Sequence, residues 1–164
     1  FEWIISEQYD CGITDVFSDH PAVECQRIPM KTVCIISEGN TLGKKKFITP
    51  EDLINEPMIH SRRDSAFYRK LEEVFTLHNV KINSWIETRQ FNSACMLVAE
   101  GRGVSIVSEM DAREYESRGL IIKPFRPVIP HTLMLVRPKH TALSTIALEF
   151  LDFFESSLEP FRLK

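Results

Sequence analysis

The sequence predicts an α/β fold, and three observations carry that reading. Short apolar runs rich in Val, Ile and Thr alternate with segments whose apolar residues recur every three or four positions. That order argues for strands and helices in alternation around a mostly parallel sheet. Capping and turn residues such as Thr49-Pro50, Gly101 and Gly119 stand where the period changes, as chain reversals require. With 164 residues, 43% of them hydrophobic and 26% charged, the chain can bury a sizeable core as one domain or two small lobes.

Along the chain, Phe1 to Ile5 reads as the end of an amphipathic helix with no cap before it, so the chain is expected to start mid-fold. Tyr9 to Thr14 reads as a buried strand closed by Asp15, and Ser18, Asp19 and Pro21 mark a loop. Cys25 to Ser37 holds two strand-like stretches with Pro29 between them, Thr32 to Ile36 being the clearer. A helix should open at Thr49, with Pro50 in the first helical position and Glu51 and Asp52 in the first turn, where acids favour the helix dipole. Pro57 to Ile59 is a short strand. Phe67, Leu71, Val74, Phe75 and His78 share one helical face, which makes burial the default for His78. Lys81 to Thr88 alternates as a strand, and Ala94, Leu97 and Val98 form a helical stripe ending at Gly101. Gly103 to Val107 is a strand, and Ser108 with Asp111 caps a helix that Gly119 ends. Leu120 to Phe125 and Thr132 to Val136 are the last strands. Leu143, Ile146, Ala147, Phe150, Leu151, Phe154 and Leu158 hold one face of the C-terminal helix.

Composition narrows the function classes. The formal net charge of −3 argues against nucleic-acid binding by this segment, since phosphate neutralisation needs a basic surplus. Lys44-Lys45-Lys46 reads as a solvated loop. No apolar run approaches the roughly 20 residues of a membrane span. Cys11, Cys25, Cys34 and Cys95 have neither metal-ligand nor redox spacing and read as reduced thiols of a cytoplasmic protein. No Ser stands in a G-x-S-x-G turn, and His20, His60, His78, His131 and His140 lie apart, so neither a catalytic site, a metal site nor a cofactor is expected.

Three stretches then resemble the effector-binding domain of LysR-type transcription regulators: "ACMLVAEGRGVSIVS" (Ala94 to Ser108), "ITPEDLINEPMI" (Ile48 to Ile59), and Glu7 to Thr14, ending "DCGIT". Ser61 to Thr88 and Leu133 to Ser144 look closest to the amino-acid- and opine-responsive subgroup, which includes the lysine-biosynthesis activator. The resemblance implies a two-lobed, periplasmic-binding-protein-like (type 2) α/β domain with lobe one truncated at its N-terminus. It implies residues 1–31 as the remainder of lobe one, 32–36 and 131–136 as hinge strands, 37–130 as lobe two, and 137–164 as the helix returning to lobe one. It also implies a homodimer or tetramer that reaches DNA only through an absent N-terminal helix-turn-helix.

In such a fold a small zwitterion is held by helix N-termini and by hydroxyl or amide side chains at strand ends. The candidates are Thr14 and Asp15; Ser61, Asp64 and Ser65, with Arg62 and Arg63 beside them; and Gln90, Phe91, Asn92 and Ser93. Asp15 or Asp64 would receive an ammonium group, and Asn92 or Ser93 a carboxylate. Simpler roles compete: Asp64 and Ser65 as plain N-caps, Phe91 as core, Arg62 and Arg63 as solvated side chains. The rival functions are a solute-binding protein of a transporter and an α/β enzyme using the same cleft.

Overall fold

The computed structural model describes residues 2–6, 8–15 and 20–164. The expected loop positions Ser18 and Asp19 lie outside the described residues, as do Phe1, Glu7, Val16 and Phe17. The chain forms two compact units, one from Lys31–His131 and the other from the chain up to Met30 together with Thr132–Lys164.

The larger unit is built on a five-stranded sheet. Its strands are β3 (Thr32–Ser37), β4 (Met58–Ser61), β5 (Ser84–Thr88), β6 (Val104–Ser108) and β7 (Leu120–Pro124), in the order β5-β4-β6-β3-β7. β4 runs parallel to β5 and β6, whereas β3 is antiparallel to both β6 and β7. The sheet is therefore mixed rather than mostly parallel. Strand and helix alternation reports which elements exist. The direction of β3 depends on pairing with two strands some 70 to 90 residues later.

Side-chain alternation divides the core into two layers, as period-two geometry requires. Cys34 and Ile36 of β3, with Val104 and Ile106 of β6, face Phe67, Leu71 and Phe75 of α2 (Ala66–Leu77). Val33, Ile35 and Val107 face Ala94, Cys95 and Val98 of α3 (Phe91–Ala99) and Ala112 of α4 (Glu109–Arg113). β3 and β6 are buried along almost their whole length, because both sheet faces are covered. Burial pushes the Cys95 thiol up to about 12.

The helix expected after Thr49 is only a 3-10 turn, Pro50–Leu53. Thr49 N–H does donate to Asp52 Oδ2 at 3.1 Å, but Pro57 lies four residues past the turn and disfavours helical backbone at Glu56. Lys44, Lys45 and Lys46 are exposed, and Lys45 pairs with Asp52. His78 is exposed rather than buried: it follows the last residue of α2, and its Nδ1 lies 2.6 Å from Glu51 Oε1.

Hydrogen bonds from Thr49 and His78 hold the Glu51 carboxyl at about 2, below its ordinary 4.5. A carboxylate favoured in the folded state stabilises above its unfolded value and stops doing so as pH falls through the folded one. Stability should therefore decline between about pH 4.5 and pH 2. Glu51→Gln should flatten that part of a denaturant-midpoint profile.

In the smaller unit, β1 (Gly12–Thr14) pairs antiparallel with β8 (His131–Pro138), and β2 (Val23–Met30) lies on the other side of β8. The short helix α1 (Glu2–Ile5) adds Ile4 to a cluster with Val23, Met134 and Val136. The strand expected over Tyr9 to Thr14 is thus only three residues long and partly exposed, and Tyr9 is exposed. α5 (Thr145–Leu158) is capped by Ser144 and buries Ala147, Leu151 and Leu158. Ile146 and Phe150, expected on the same buried face, are 80% and 45% exposed.

Candidate functional site

Within the larger unit, the predicted residues from Ser61 to Ser65 and from Gln90 to Ser93 gather at two adjacent helix N-termini. Ser65 is the N-cap of α2, its Oγ accepting from Tyr68 N–H at 3.0 Å. Ser61, the last residue of β4, places its Oγ 3.2 Å from Ser65 Oγ. Gln90 stands at the N-cap of α3 without a side-chain capping bond, which leaves first-turn N–H groups of that helix without an internal partner. Phe67 and Phe91 join the two helix starts, their ring centroids 5.3 Å apart and edge to face. His131 completes the cluster, 5.0 Å from Phe91 and 5.9 Å from Phe67.

The remaining predicted residues divide. Asn92 is exposed and Ser93 half-buried, with Ser93 Oγ 3.5 Å from Asn92 Oδ1. The Asp64 carboxylate pairs with Arg62, and its main-chain carbonyl accepts from Arg69 Nη1 at 3.0 Å. Arg63 donates to Ser84 Oγ at 3.1 Å and lies 4.0 Å from Glu87. Arg62 and Arg63 are thus engaged with neighbours along the surface. Phe91 packs against both core layers, so it is at least a core residue. Thr14, half-buried, ends β1 in the smaller unit, and Asp15, exposed, follows it.

Sequence reasoning passed over His60. It is 2% exposed, and its ring is fully bonded: Nδ1 meets Ser61 O at 2.8 Å and Nε2 meets Ser84 Oγ at 2.6 Å. Its only sequence signal is one polar residue inside an apolar strand. Ser84 against His60 has the spacing of a nucleophile and its base. However, the third partner is a backbone carbonyl where a carboxylate would orient the base, and Arg63 donates onto the same serine oxygen. Among the described residues no group of His, Cys, Asp and Glu has metal-binding geometry, and no helix is long and apolar enough to cross a membrane.

What the arrangement offers is a small polar locus. N–H groups and hydroxyls at two helix starts can donate to an anion, beside the Phe67–Phe91 ring pair. Comparison with known proteins agrees in kind: the family model described as LysR substrate binding domain matches residues 1–159. The chain belongs to the LysR substrate-binding domain family. It is 30% identical over 158 residues to the transcriptional activator protein LysR of Escherichia coli strain K12, covering 96% of this chain and 51% of that protein. It is 27% identical over 150 residues to the regulatory protein NocR of Agrobacterium tumefaciens strain T37, covering 91% of this chain and 50% of NocR. The chain thus spans about half the length of the curated relatives it matches. Among solved structures, the effector-binding domain of QuiR in complex with shikimate superposes with a TM-score of 0.72 at 18% identity, over 99% of this chain and 78% of that one. The mixed α/β fold is accordingly that of LysR effector-binding domains, a two-lobed, periplasmic-binding-protein-like architecture.

Proposed function

We propose that this LysR-family chain is the effector-sensing part of a DNA-binding transcription regulator and that its effector is a small amino-acid-like or opine-like molecule. The observation that carries the proposal is the junction of the α2 and α3 starts, where Phe67 and Phe91 meet at 5.3 Å. Ser61, Ser65, Gln90, Asn92 and Ser93 surround that junction and suit a carboxylate. Phe91 gives an apolar contact, while Asp64 takes an ammonium group. Residues 32–36 and 131–136 act as the connecting strands between lobes. An effector that binds one arrangement of the lobes better shifts the population toward it.

The net charge of −3 supports DNA contact through another part of the regulator, which works in the cytoplasm as a homodimer or tetramer. Its output is a change of assembly, and no reaction is catalysed.

Calorimetric titration with a panel of amino acids and opines tests this reading. A member of the panel should bind, and Ser65→Ala or Asn92→Ala should each weaken it by about tenfold, roughly 1.4 kcal/mol. Ser65→Ala also removes a helix cap worth about 1 kcal/mol. The diagnostic quantity is therefore the ligand-induced rise in melting temperature of each variant relative to its own ligand-free state. Silence across the panel from folded protein would sink the amino-acid assignment.

A further inference from the structure

We infer that His60 is a positioning residue for the ligand loop, holding Ser61 and Ser65 in the geometry that the proposed effector contact needs. The inference rests on the reading of Ser61 to Ser65 as ligand contacts.

His60 closes a ring of interactions around those two serines. Its Nδ1 lies 2.8 Å from the Ser61 carbonyl oxygen, which can only accept, so Nδ1 carries the proton. The imidazole packs on the Tyr68 ring at 4.7 Å between centroids. Tyr68 N–H donates to Ser65 Oγ at 3.0 Å, and Ser65 Oγ lies 3.2 Å from Ser61 Oγ. From His60 the path thus runs through Ser61, Ser65 and Tyr68 and returns to the same ring. In the tautomer that carries its single proton on Nδ1, Nε2 is an acceptor that Ser84 Oγ, 2.6 Å away, can donate to. Arg63 Nη2 donates to that serine oxygen at 3.1 Å, which occupies one of its two acceptor lone pairs and is compatible with the hydroxyl proton pointing to His60.

This directional chain fixes one tautomer, and the tautomer orients the Ser61 peptide. The position of Ser65 Oγ follows, because it is held from both sides. A hydrophobic residue of similar shape would keep the packing on Tyr68 and lose the orientation. Asparagine at this position can still donate to the Ser61 carbonyl.

Nitrogen-15 NMR of the imidazole in the 164-residue chain should show His60 with Nδ1 protonated and Nε2 as acceptor. The opposite tautomer would overturn the inference. Sodium sulfate, as an anion probe, should shift the amides of Ser65 to Tyr68. His60→Phe should weaken that sulfate binding by about tenfold and move the Tyr68 amide resonance, with His60→Asn remaining within about threefold of the native protein. A folded His60→Phe protein with native sulfate affinity and an unmoved Tyr68 amide also overturns it. If sulfate leaves the native amides unmoved, the ligand-loop reading fails by itself. The positioning role is then decided by whether His60→Phe displaces the Tyr68 amide. Should His60→Phe fail to fold, the exposed Ser84→Ala substitution stands in. It should alter both the imidazole spectrum and the Tyr68 amide, and no change in either refutes the role.

Discussion

Gly103→Ala should destabilise the larger unit more than the same substitution at Gly39, Gly101 or Gly119. Gly103 has a φ of +131°, and an added Cβ would lie 2.2 Å from the carbonyl oxygen of Pro57. That oxygen is backbone and already accepts from Val104 N–H at 3.0 Å, so it cannot move without breaking the start of the β4–β6 pairing. Two penalties combine: backbone strain of about 1–3 kcal/mol for a side chain in this region and roughly 1–3 kcal/mol for overpacking. Gly101 is the internal control. Its φ is +73°, but a Cβ added there would have nothing within 4 Å, so Gly101→Ala should cost only about 1 kcal/mol. Denaturant unfolding of the two variants checks the contrast. Gly103→Ala should lose about 3 kcal/mol or more, and equal midpoints for both would refute the close-approach argument.

The pair Gly101 and Gly103 also shows what could be read from sequence. Two glycines between a helical stripe and an apolar run predict a tight reversal, and both do adopt positive φ. That Gly103 must also clear Pro57 was not legible, because the clash joins residues 46 positions apart. The same limit governs the sheet. Thr32 to Ile36 announces a buried strand through composition and period, but its antiparallel partners come from β6 and β7. α5 failed in the other direction: its apolar residues predict an extended buried face, and only Ala147, Leu151 and Leu158 of it are buried.

The candidate site follows that pattern. Ser65 was legible as a cap because N-capping is local, and it does cap α2. Phe91 was ambiguous between core and ligand contact because its neighbours come from α2 and from the start of β8. His60 was invisible as a positioning group because its partner Ser84 is 24 residues away. Local chemistry is written in the sequence, whereas convergence of distant polar groups is a property of the fold.

Phe91→Ala should cost about 3 kcal/mol of stability, near the low end for phenylalanine truncation because the ring is only half-buried. The ring packs against both core layers and makes edge-to-face contacts with Phe67 and His131. Each such aromatic contact is worth roughly 0.5–1.5 kcal/mol beyond burial. Phe91→Leu keeps much of the volume and should lose only about 1.5 kcal/mol. The two variants separate packing from recognition. A residue that serves the core alone would regain effector affinity along with stability when Leu replaces Ala. If the aromatic face also floors the effector site, Phe91→Leu recovers most of the stability but remains about tenfold weaker in effector binding. The second outcome is expected, because Phe91 opens the helix whose first turn carries Asn92 and Ser93. Parallel denaturation and calorimetry on both variants measure the two quantities. Native affinity in Phe91→Leu would return Phe91 to the core and leave the polar groups of the two helix starts as the effector contacts.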